Sequence, residues 1–203
     1  MPLDLSNLNE KQQQAVTNTQ GPYMINAGPG SGKTQVLTHR IAHLIQEQNI
    51  PPYHILALTF TNKAAKEMIH RIQGLIKDQV KGLWIGTFHS LFSRLLRIEA
   101  EYLNLPKDFS IYDRTDSISL IKTLIKELYL DEDLYKPTKI LSRISWAKNR
   151  LMDAHAYSNS QDYLEEDRRS AKPQIANLFL HYQARCKQAG ALDFDDLLLS
   201  TYH

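Results

Sequence analysis

A loop near the N-terminus has residue types and a spacing that suit a polyphosphate. It consists of an alanine, four variable positions and then Gly-Lys-Thr. Its three glycines leave room for backbone N–H groups to turn inward around an anion. Lys33 can place an ammonium on the β- and γ-phosphates, and the Thr34 hydroxyl can ligate Mg²⁺. The sequence therefore predicts a nucleoside triphosphate site formed by Ala27, Gly28, Pro29, Gly30, Ser31, Gly32, Lys33 and Thr34.

The segments on either side of this phosphate loop are those that the chemistry requires. Tyr23–Ala27 is a short apolar run that predicts a buried strand, and apolar residues follow Gly32 with a helical period. A helix beginning at Gly32 would aim its unpaired N–H groups and its positive dipole end at the phosphates. The alternative is a chance glycine-rich turn. Such a turn would not need a strand before it and a helix after it, so the predicted strand and helix favour the phosphate loop. The loop alone does not choose among kinases, motors, GTPases and helicases.

Two further strand–helix repeats follow the loop. The runs 54–60 and 83–87 predict buried strands, and helical periods follow over 62–76 and from 88 to about 103. A short helix is also predicted over 8–16. Strand, loop and helix repeated three times predict an α/β fold with parallel strands and right-handed crossovers.

The pattern changes beyond Pro106. Residues 109–112 predict one short extended piece, and Asp113 is expected to cap a long helix with Asp116 three residues on. Further helices are expected near 138–151 and 173–189, so this stretch predicts an all-helical insertion. We therefore expect three segments: 1–104 as the first part of the nucleotide-binding core, 105–190 as an inserted helical subdomain, and 191–203 as the return to the core.

The composition excludes several classes of protein. The 203 residues are 42% hydrophobic and 23% charged, and no apolar run approaches the length of a membrane span. The N-terminus lacks the basic segment and apolar stretch of a signal peptide, so we expect a cytoplasmic protein with no membrane contact. The one cysteine, Cys186, cannot form an internal disulfide or a thiolate zinc site. His39 and His43 are spaced like metal ligands, but a plain helix face is the simpler interpretation.

A basic segment is the main feature of the charge distribution. The net charge of +2 is too small to predict a nucleic-acid binder, yet residues 136–150 hold five basic and no acidic side chains. On a helix, the spacing of three, four and seven residues puts Lys136, Lys139, Arg143 and Arg150 on one face beside an apolar face. Such a stripe could contact phosphates. A solvated surface is an equally simple alternative.

Segments around the loop resemble motifs of superfamily 1 DNA helicases of the UvrD/Rep/PcrA type. Residues 8–16 (LNEKQQQAV) resemble the glutamine motif, 57–65 (ALTFTNKAA) motif Ia, and 86–91 (GTFHSL) motif Ib. The order and approximate spacing also agree. Further similar segments are IYD at 111–113, ISWAKN at 144–149 and LDFDDL at 192–197.

The resemblance implies roles for individual residues. Gln12 would hydrogen-bond the adenine edge, so the nucleotide would be ATP bound with Mg²⁺. Gln35 stands where many relatives carry arginine, which leaves hydrogen-bonding capacity toward the nucleotide but no charge. Motifs Ia and Ib would line a single-strand track. Their predicted DNA contacts are Thr59, Phe60, Thr61, Asn62, Thr87 and His89.

From the residues alone, two of these positions have simpler interpretations. Phe60 would be a core aromatic at the end of a strand. His89 would be a histidine at a helix start. The resemblance favours stacking by Phe60 on a base and a polar contact from His89 to phosphate or sugar.

ATP hydrolysis needs an apolar strand that ends in Asp-Glu, and the sequence contains no such element. Asp193, Asp195 and Asp196 come nearest, but their apolar run follows the acids, which predicts a helix start. The resemblance implies the N-terminal fragment of an ATP-dependent 3′-to-5′ DNA helicase with a P-loop, RecA-like core. Its partners would be single-stranded DNA, a duplex junction and a second motor domain C-terminal to it, and alone it would not hydrolyse ATP. The alternatives are a small-molecule kinase or other phosphate-loop enzyme, and a nucleotide-gated DNA-binding or regulatory module.

Overall fold

The computed structural model describes residues 3–202, without the side chain of Asp78. Residues 1 and 2 of the predicted segment 1–104, and residue 203 of the predicted segment 191–203, lie outside the described residues. The chain divides into two compact units that meet in sequence between Leu91 and Phe92. Among the described residues, no helix combines the length and the apolar character that a membrane crossing requires.

Within residues 3–91, the first unit contains three α-helices, two parallel strands and the start of a fourth α-helix. Strands β1 (Leu56–Leu58) and β2 (Trp84–Gly86) pair in parallel, with Leu56 opposite Trp84 and Leu58 opposite Gly86. Their core is formed with the helices α2 (Lys33–Gln46) and α3 (Asn62–Ile76), whose buried residues include Ile41, Met68 and Ile72. The elements are α1 (Glu10–Thr17), α2 (Lys33–Gln46), β1 (Leu56–Leu58), α3 (Asn62–Ile76), β2 (Trp84–Gly86) and α4 (Phe88–Ile98), and the last contains the division between the units.

The strand predicted over Tyr23–Ala27 is wrong for this structure. The segment is not in a strand, and Tyr23, Met24 and Ile25 are 53%, 94% and 46% exposed. A strand needs a neighbour to pair its N–H and C=O groups. Over residues 3–202 the paired strands are β1 with β2 and a second pair, and neither pair includes this segment.

The described part of the second unit is mostly helical, with one large and one small cluster of buried apolar residues. Its two strands pair in parallel, with Ser110 opposite Ala191 and Tyr112 opposite Asp193. Asp113 caps the next helix as predicted, because its carboxylate accepts from the backbone N–H of Asp116, whose carboxylate accepts from the N–H of Asp113. The elements are β3 (Ser110–Tyr112), α5 (Arg114–Glu127), α6 (Pro137–Lys148), α7 (Ala154–Ser158), α8 (Gln161–Arg169), α9 (Ile175–Gln188), β4 (Ala191–Asp193) and α10 (Phe194–Tyr202).

The predicted α/β class with parallel strands is confirmed, although β1 and β2 are shorter than the predicted runs 54–60 and 83–87. The inserted helical subdomain stays a prediction. The segment boundaries at 104/105 and 190/191 stay predictions. The pairing of β3 with β4 joins residues that the sequence assigned to opposite sides of the second boundary. The hydrogen bonds of the pair begin at Gly190, in the turn before β4, whose carbonyl accepts from the N–H of Ser110 at 3.0 Å.

Candidate nucleotide site and nucleic-acid interface

The phosphate loop is shaped by two glycines with left-handed backbone conformations. Gly30 has φ of 76° and Gly32 has φ of 80°, a region in which residues with a side chain are strained. Gly32 is the N-terminal cap of α2, and no side chain caps this end of the helix. The first N–H groups of α2 are therefore oriented toward the loop as donors for an anion.

Lys33 folds back over its own loop. Its Nζ donates to the carbonyl oxygens of Ala27 at 2.9 Å and Gly28 at 2.7 Å, and its side chain is exposed. Ser31 Oγ donates to the same Gly28 oxygen at 2.7 Å and so closes the turn. Charged phosphate oxygens bind an ammonium more strongly than neutral carbonyls do. When a polyphosphate binds, the Lys33 ammonium could therefore leave these two carbonyls and bind the phosphate oxygens.

The residues present fit a polyphosphate better than a complete magnesium site. Thr34 lies exposed in the first turn of α2, where its hydroxyl could provide one ligand. A protein-held Mg²⁺ usually also has carboxylate ligands. Within residues 3–202 no cluster of three or more His, Cys, Asp or Glu side chains could hold a metal ion.

Gln12 joins α1 to the phosphate loop. Its Nε2 donates to the carbonyl of Ser31 at 3.0 Å, and its Oε1 accepts from the N–H of Asn9 at 2.9 Å. The amide also packs on Gly32, where an added Cβ would come within 2.8 Å of Nε2. Because a primary amide has two N–H groups and two lone pairs, these contacts use half of its capacity. One donor and one acceptor remain for a base edge.

The other predicted positions on α2 have contacts within their own helix. The carbonyl of Gln35 lies 2.8 Å from Nδ1 of His39 and accepts from the Thr38 hydroxyl at 2.9 Å. The Gln35 side chain lies near the loop, with Oε1 at 3.5 Å from a Cβ built on Gly32. His39 itself is buried.

Arg40 is a residue of this site that the sequence interpretation missed. Its Nη1 donates to the carbonyls of Ala15 at 2.6 Å and Asn18 at 2.7 Å, at the end of α1. Its guanidinium also lies 5.5 Å from the ring centroid of Tyr23, in the segment that leads into the loop. An arginine seven residues after the loop lysine was the only available signal, and it does not reveal these partners.

The ends of β1 and β2 bring the residues of the two predicted DNA motifs together. Because the strands are parallel, Thr59 and Thr87 follow them at the same edge of the pair, and the N–H of Thr59 donates to the carbonyl of Gly86 at 2.9 Å. The hydroxyl of Thr87 donates to Oδ1 of Asn62 at 3.4 Å. Thr61 caps α3 by accepting from the N–H of Ala64 at 3.1 Å. Ligands bind at such carboxyl edges in α/β proteins.

Two further side chains of this edge are exposed. Phe60 is 99% exposed, so its interpretation as a core aromatic is wrong. His89 is exposed as the second residue of α4. Exposed aromatic rings of this kind serve as stacking platforms in surfaces that bind single-stranded nucleic acid.

The chain is similar to known proteins over nearly its whole length. The family model of the UvrD/REP helicase N-terminal domain matches residues 8–203. The chain belongs to the UvrD/REP helicase family. It is 44% identical over 195 residues to a protein named ATP-dependent DNA helicase PcrA from Leuconostoc citreum, which covers 96% of this chain and 25% of that protein. It is 42% identical over 198 residues to the PcrA helicase of Staphylococcus aureus, with 97% and 26% covered. The chain thus spans about a quarter of the length of these relatives.

In this UvrD/REP family chain, the predicted basic stripe on α6 needs correction. Lys136 and Lys139 are exposed as expected. The Arg143 side chain is only 17% exposed and forms ion pairs with Glu166 at 2.8 Å and Asp167 at 3.3 Å. Burial would lower the pKa of Arg143, but hydrogen bonds to Glu166 and Tyr157 outweigh it and raise the pKa. These partners come from α7 and α8, which the helical period of α6 cannot reveal.

Lys148, also counted in the basic segment, is buried inside the second unit. Its Nζ lies 2.6 Å from Oδ2 of Asp193 and 2.7 Å from Oδ1 of Asp196. Burial would lower the pKa of Lys148, but the two carboxylates outweigh it and raise the pKa. Burial raises the pKa of Asp196 to about 6 against the effect of Lys148. The predicted helix start is confirmed, because Asp193 and Asp196 each accept from the backbone N–H of the other.

Proposed function

We propose that this chain is the N-terminal ATP-binding part of an ATP-dependent DNA helicase, which moves 3′-to-5′ along single-stranded DNA and unwinds duplex. One observation carries the proposal: Gln12 Nε2 donates to the carbonyl of Ser31 at 3.0 Å. This contact puts a side chain able to recognise a base beside a loop able to bind phosphates. The family membership of the chain supports the same activity for the whole protein.

The remaining capacity of the Gln12 amide matches adenine better than guanine. Adenine presents an acceptor at N7 and a donor at N6 on one edge, which a glutamine amide can contact with two hydrogen bonds. Guanine presents two acceptors on that edge, so the Gln12 oxygen would face another oxygen. We therefore assign ATP as the nucleotide. Lys33 would contact the β- and γ-phosphates, and Thr34 would provide one ligand to Mg²⁺.

The edge formed by Thr59, Phe60, Thr61, Asn62, Thr87 and His89 is the proposed single-strand track. Its hydroxyl and amide groups can hydrogen-bond phosphates and sugars, which positions a strand without reading its sequence. Phe60 offers the stacking face. The exposed Lys136, which is the N-cap residue of α6, and Lys139 in its first turn are proposed to contact phosphates near a duplex junction.

A helicase also needs residues for ATP hydrolysis, which the relatives would contain in the remaining three quarters of their length. ATP hydrolysis needs a carboxylate for Mg²⁺, a carboxylate that orients water and an arginine for the γ-phosphate. We place these in a completed RecA-like core and in a second motor domain C-terminal to residue 203. Residues 105–190 are then a helical subdomain inserted into the first motor domain. The 203-residue chain alone should bind ATP weakly and not hydrolyse it.

ATPase measurements with and without single-stranded DNA test this function. The 203-residue chain should show no turnover, whereas the full-length protein should show DNA-stimulated turnover that Lys33→Ala abolishes. Hydrolysis by the 203 residues that Lys33→Ala removes would overturn the assignment of the missing parts. DNA binding by the full-length protein without any turnover would instead support the nucleotide-gated regulatory module.

A further inference from the structure

The two ends of α1 are held by different parts of the nucleotide site. At its start, Gln12 donates to Ser31 in the phosphate loop. At its end, Nη1 of Arg40 donates to the carbonyls of Ala15 and Asn18, at 2.6 and 2.7 Å. The last carbonyls of a helix have no partner within it, and a cation placed there also opposes the negative end of the helix dipole. Arg40 is therefore well suited to hold this end of α1.

Helix α1 depends on such contacts for its position. It has eight residues, and isolated helices shorter than about 12 residues are marginal in water. Its apolar anchoring is a small cluster in which Leu8, Val16 and Val36 are buried. The polar contacts at its two ends therefore set the angle at which α1, and with it the Gln12 amide, lies on the loop.

We propose that Arg40 is a positioning residue for base recognition, which holds α1 so that the Gln12 amide presents its unused donor and acceptor to adenine. This inference rests on the proposed binding of ATP. Arg40 lies seven residues after Lys33, about 10 Å along the helix axis, and its Nη1 donates to α1. It therefore acts through Gln12, by fixing the helix that carries it.

A purely structural role for Arg40 would have a different signature. If Arg40 only stabilised the fold or the loop, its loss would weaken the binding of every nucleoside triphosphate equally. If it positions Gln12, its loss should affect adenine and spare guanine, because guanine does not match the Gln12 amide. The ratio of the KM values for ATP and GTP therefore separates the two roles.

The experiment measures single-stranded-DNA-stimulated ATPase and GTPase activity of the full-length protein. Arg40→Ala should raise the KM for ATP about tenfold, the discrimination that a good pair of base contacts provides. It should leave kcat and the KM for GTP within about twofold. Arg40→Lys keeps one cation with fewer oriented donors and should give an intermediate KM for ATP. Because Arg40→Lys is the milder change, it tests the same ratio if Arg40→Ala does not fold.

A double substitution tests the route of the effect. In a Gln12→Ala background, Arg40→Ala should raise the KM for ATP by less than about twofold further, because the residue that it positions is already gone. Arg71→Ala is the matched control. This arginine pairs with Glu67 on the surface of α3, and its loss should change no KM value.

Three results would overturn the inference. Equal increases in KM for ATP and GTP would show that Arg40 supports the loop as a whole. A full tenfold effect of Arg40→Ala in the Gln12→Ala background would show that it acts by another route. ATPase activity that survives Lys33→Ala would reject the proposed function and the inference with it, whereas the first two results reject the inference alone.

Discussion

The ammonium of Lys148 lies 2.6 Å from a carboxylate oxygen of Asp193, and both side chains are buried. Asp196 provides a second carboxylate at 2.7 Å, and Tyr182 donates its hydroxyl to Asp193 at 2.9 Å. The cluster joins α6, α9 and the junction at which α10 directly follows β4. When both carboxylates are ionised, the one ammonium neutralises only one of them. Hydrogen bonds such as that from Tyr182 must stabilise the remaining negative charge.

Removing the cation of this cluster should strongly destabilise the second unit. Lys148→Met retains much of the side-chain length but leaves two largely buried carboxylates without a cation. Breaking a buried pair in this way costs about 3–5 kcal/mol of the free energy of unfolding. Urea denaturation followed by circular dichroism measures it. Lys139→Met on the exposed face of α6 is the control, with a change below about 0.5 kcal/mol. Equal stabilities of the two variants would contradict the buried ion pair.

The same cluster should make stability depend on pH between about 4 and about 6. Burial raises the pKa of Asp196 from 3.8 to about 6 in the folded protein. The folded state therefore holds this proton more tightly than the unfolded state, so the free energy of unfolding decreases as the pH rises through this window. Asp196→Asn should remove that slope. The measurement is the difference in unfolding free energy between wild type and variant at each pH.

The control for this measurement is Ser200→Ala, on the same helix. It removes no titrating group, so its difference from wild type should stay constant with pH. If the wild type instead gained stability relative to Asp196→Asn as the pH rose from 4 to 6, the direction of the Asp196 shift would be wrong.

The exposed ring of Phe60 should contribute to DNA affinity without contributing to stability. Base–aromatic stacking provides about 1–3 kcal/mol, so Phe60→Ala should weaken the binding of single-stranded DNA by roughly tenfold. Because the side chain is 99% exposed, the free energy of unfolding should change by less than about 0.5 kcal/mol. Fluorescence anisotropy of a labelled oligothymidylate on the full-length protein measures the affinity. Tyr102→Ala removes an aromatic ring that is 86% exposed, but outside the proposed track, and should leave affinity unchanged.

Because Lys136 and Lys139 are exposed whereas Arg143 is largely buried, substitutions at the two lysines and at Arg143 should have different effects. Replacing Lys136 and Lys139 with glutamine should reduce the salt dependence of DNA binding, by about 1 in log–log slope for each phosphate that the protein no longer neutralises. Arg143→Gln should leave this slope unchanged and lower the free energy of unfolding by about 2 kcal/mol, since it breaks hydrogen bonds to charged partners. A reduced slope with unchanged stability for Arg143→Gln would restore Arg143 to the DNA-binding face.

Local signals in the sequence predicted much of the fold. Helix α3 has the predicted bounds, Asn62–Ile76, because its apolar period and its polar cap both lie within a few residues. The carboxylates of Asp113 and Asp116 likewise interact across three residues. The phosphate loop was predictable for the same reason, since its chemistry depends on residue types at fixed spacing in one segment.

Long-range contacts set the limits of this prediction. Helical spacing placed Arg143 and Lys148 in a basic segment, but their acidic partners lie 23 and 45 residues away in sequence. Arg40 likewise contacts carbonyls 22 and 25 residues before it. Every residue has a backbone carbonyl, so the sequence does not show which carbonyls accept from a given arginine. The helical period therefore shows on which helix face a charged side chain lies. Whether that side chain is buried depends on which distant segment packs against the face.

The exposed segment Tyr23–Ala27 has a consequence for the behaviour of the chain in solution. It is uncharged, apolar in four of its five residues and contains no proline. Within residues 3–202 no strand pairs with its backbone. Such a segment can serve as a template for intermolecular β-pairing, and this makes it an aggregation hazard. Preparations of these 203 residues should therefore self-associate through this segment as concentration rises, and a charged substitution at Met24 should improve solubility.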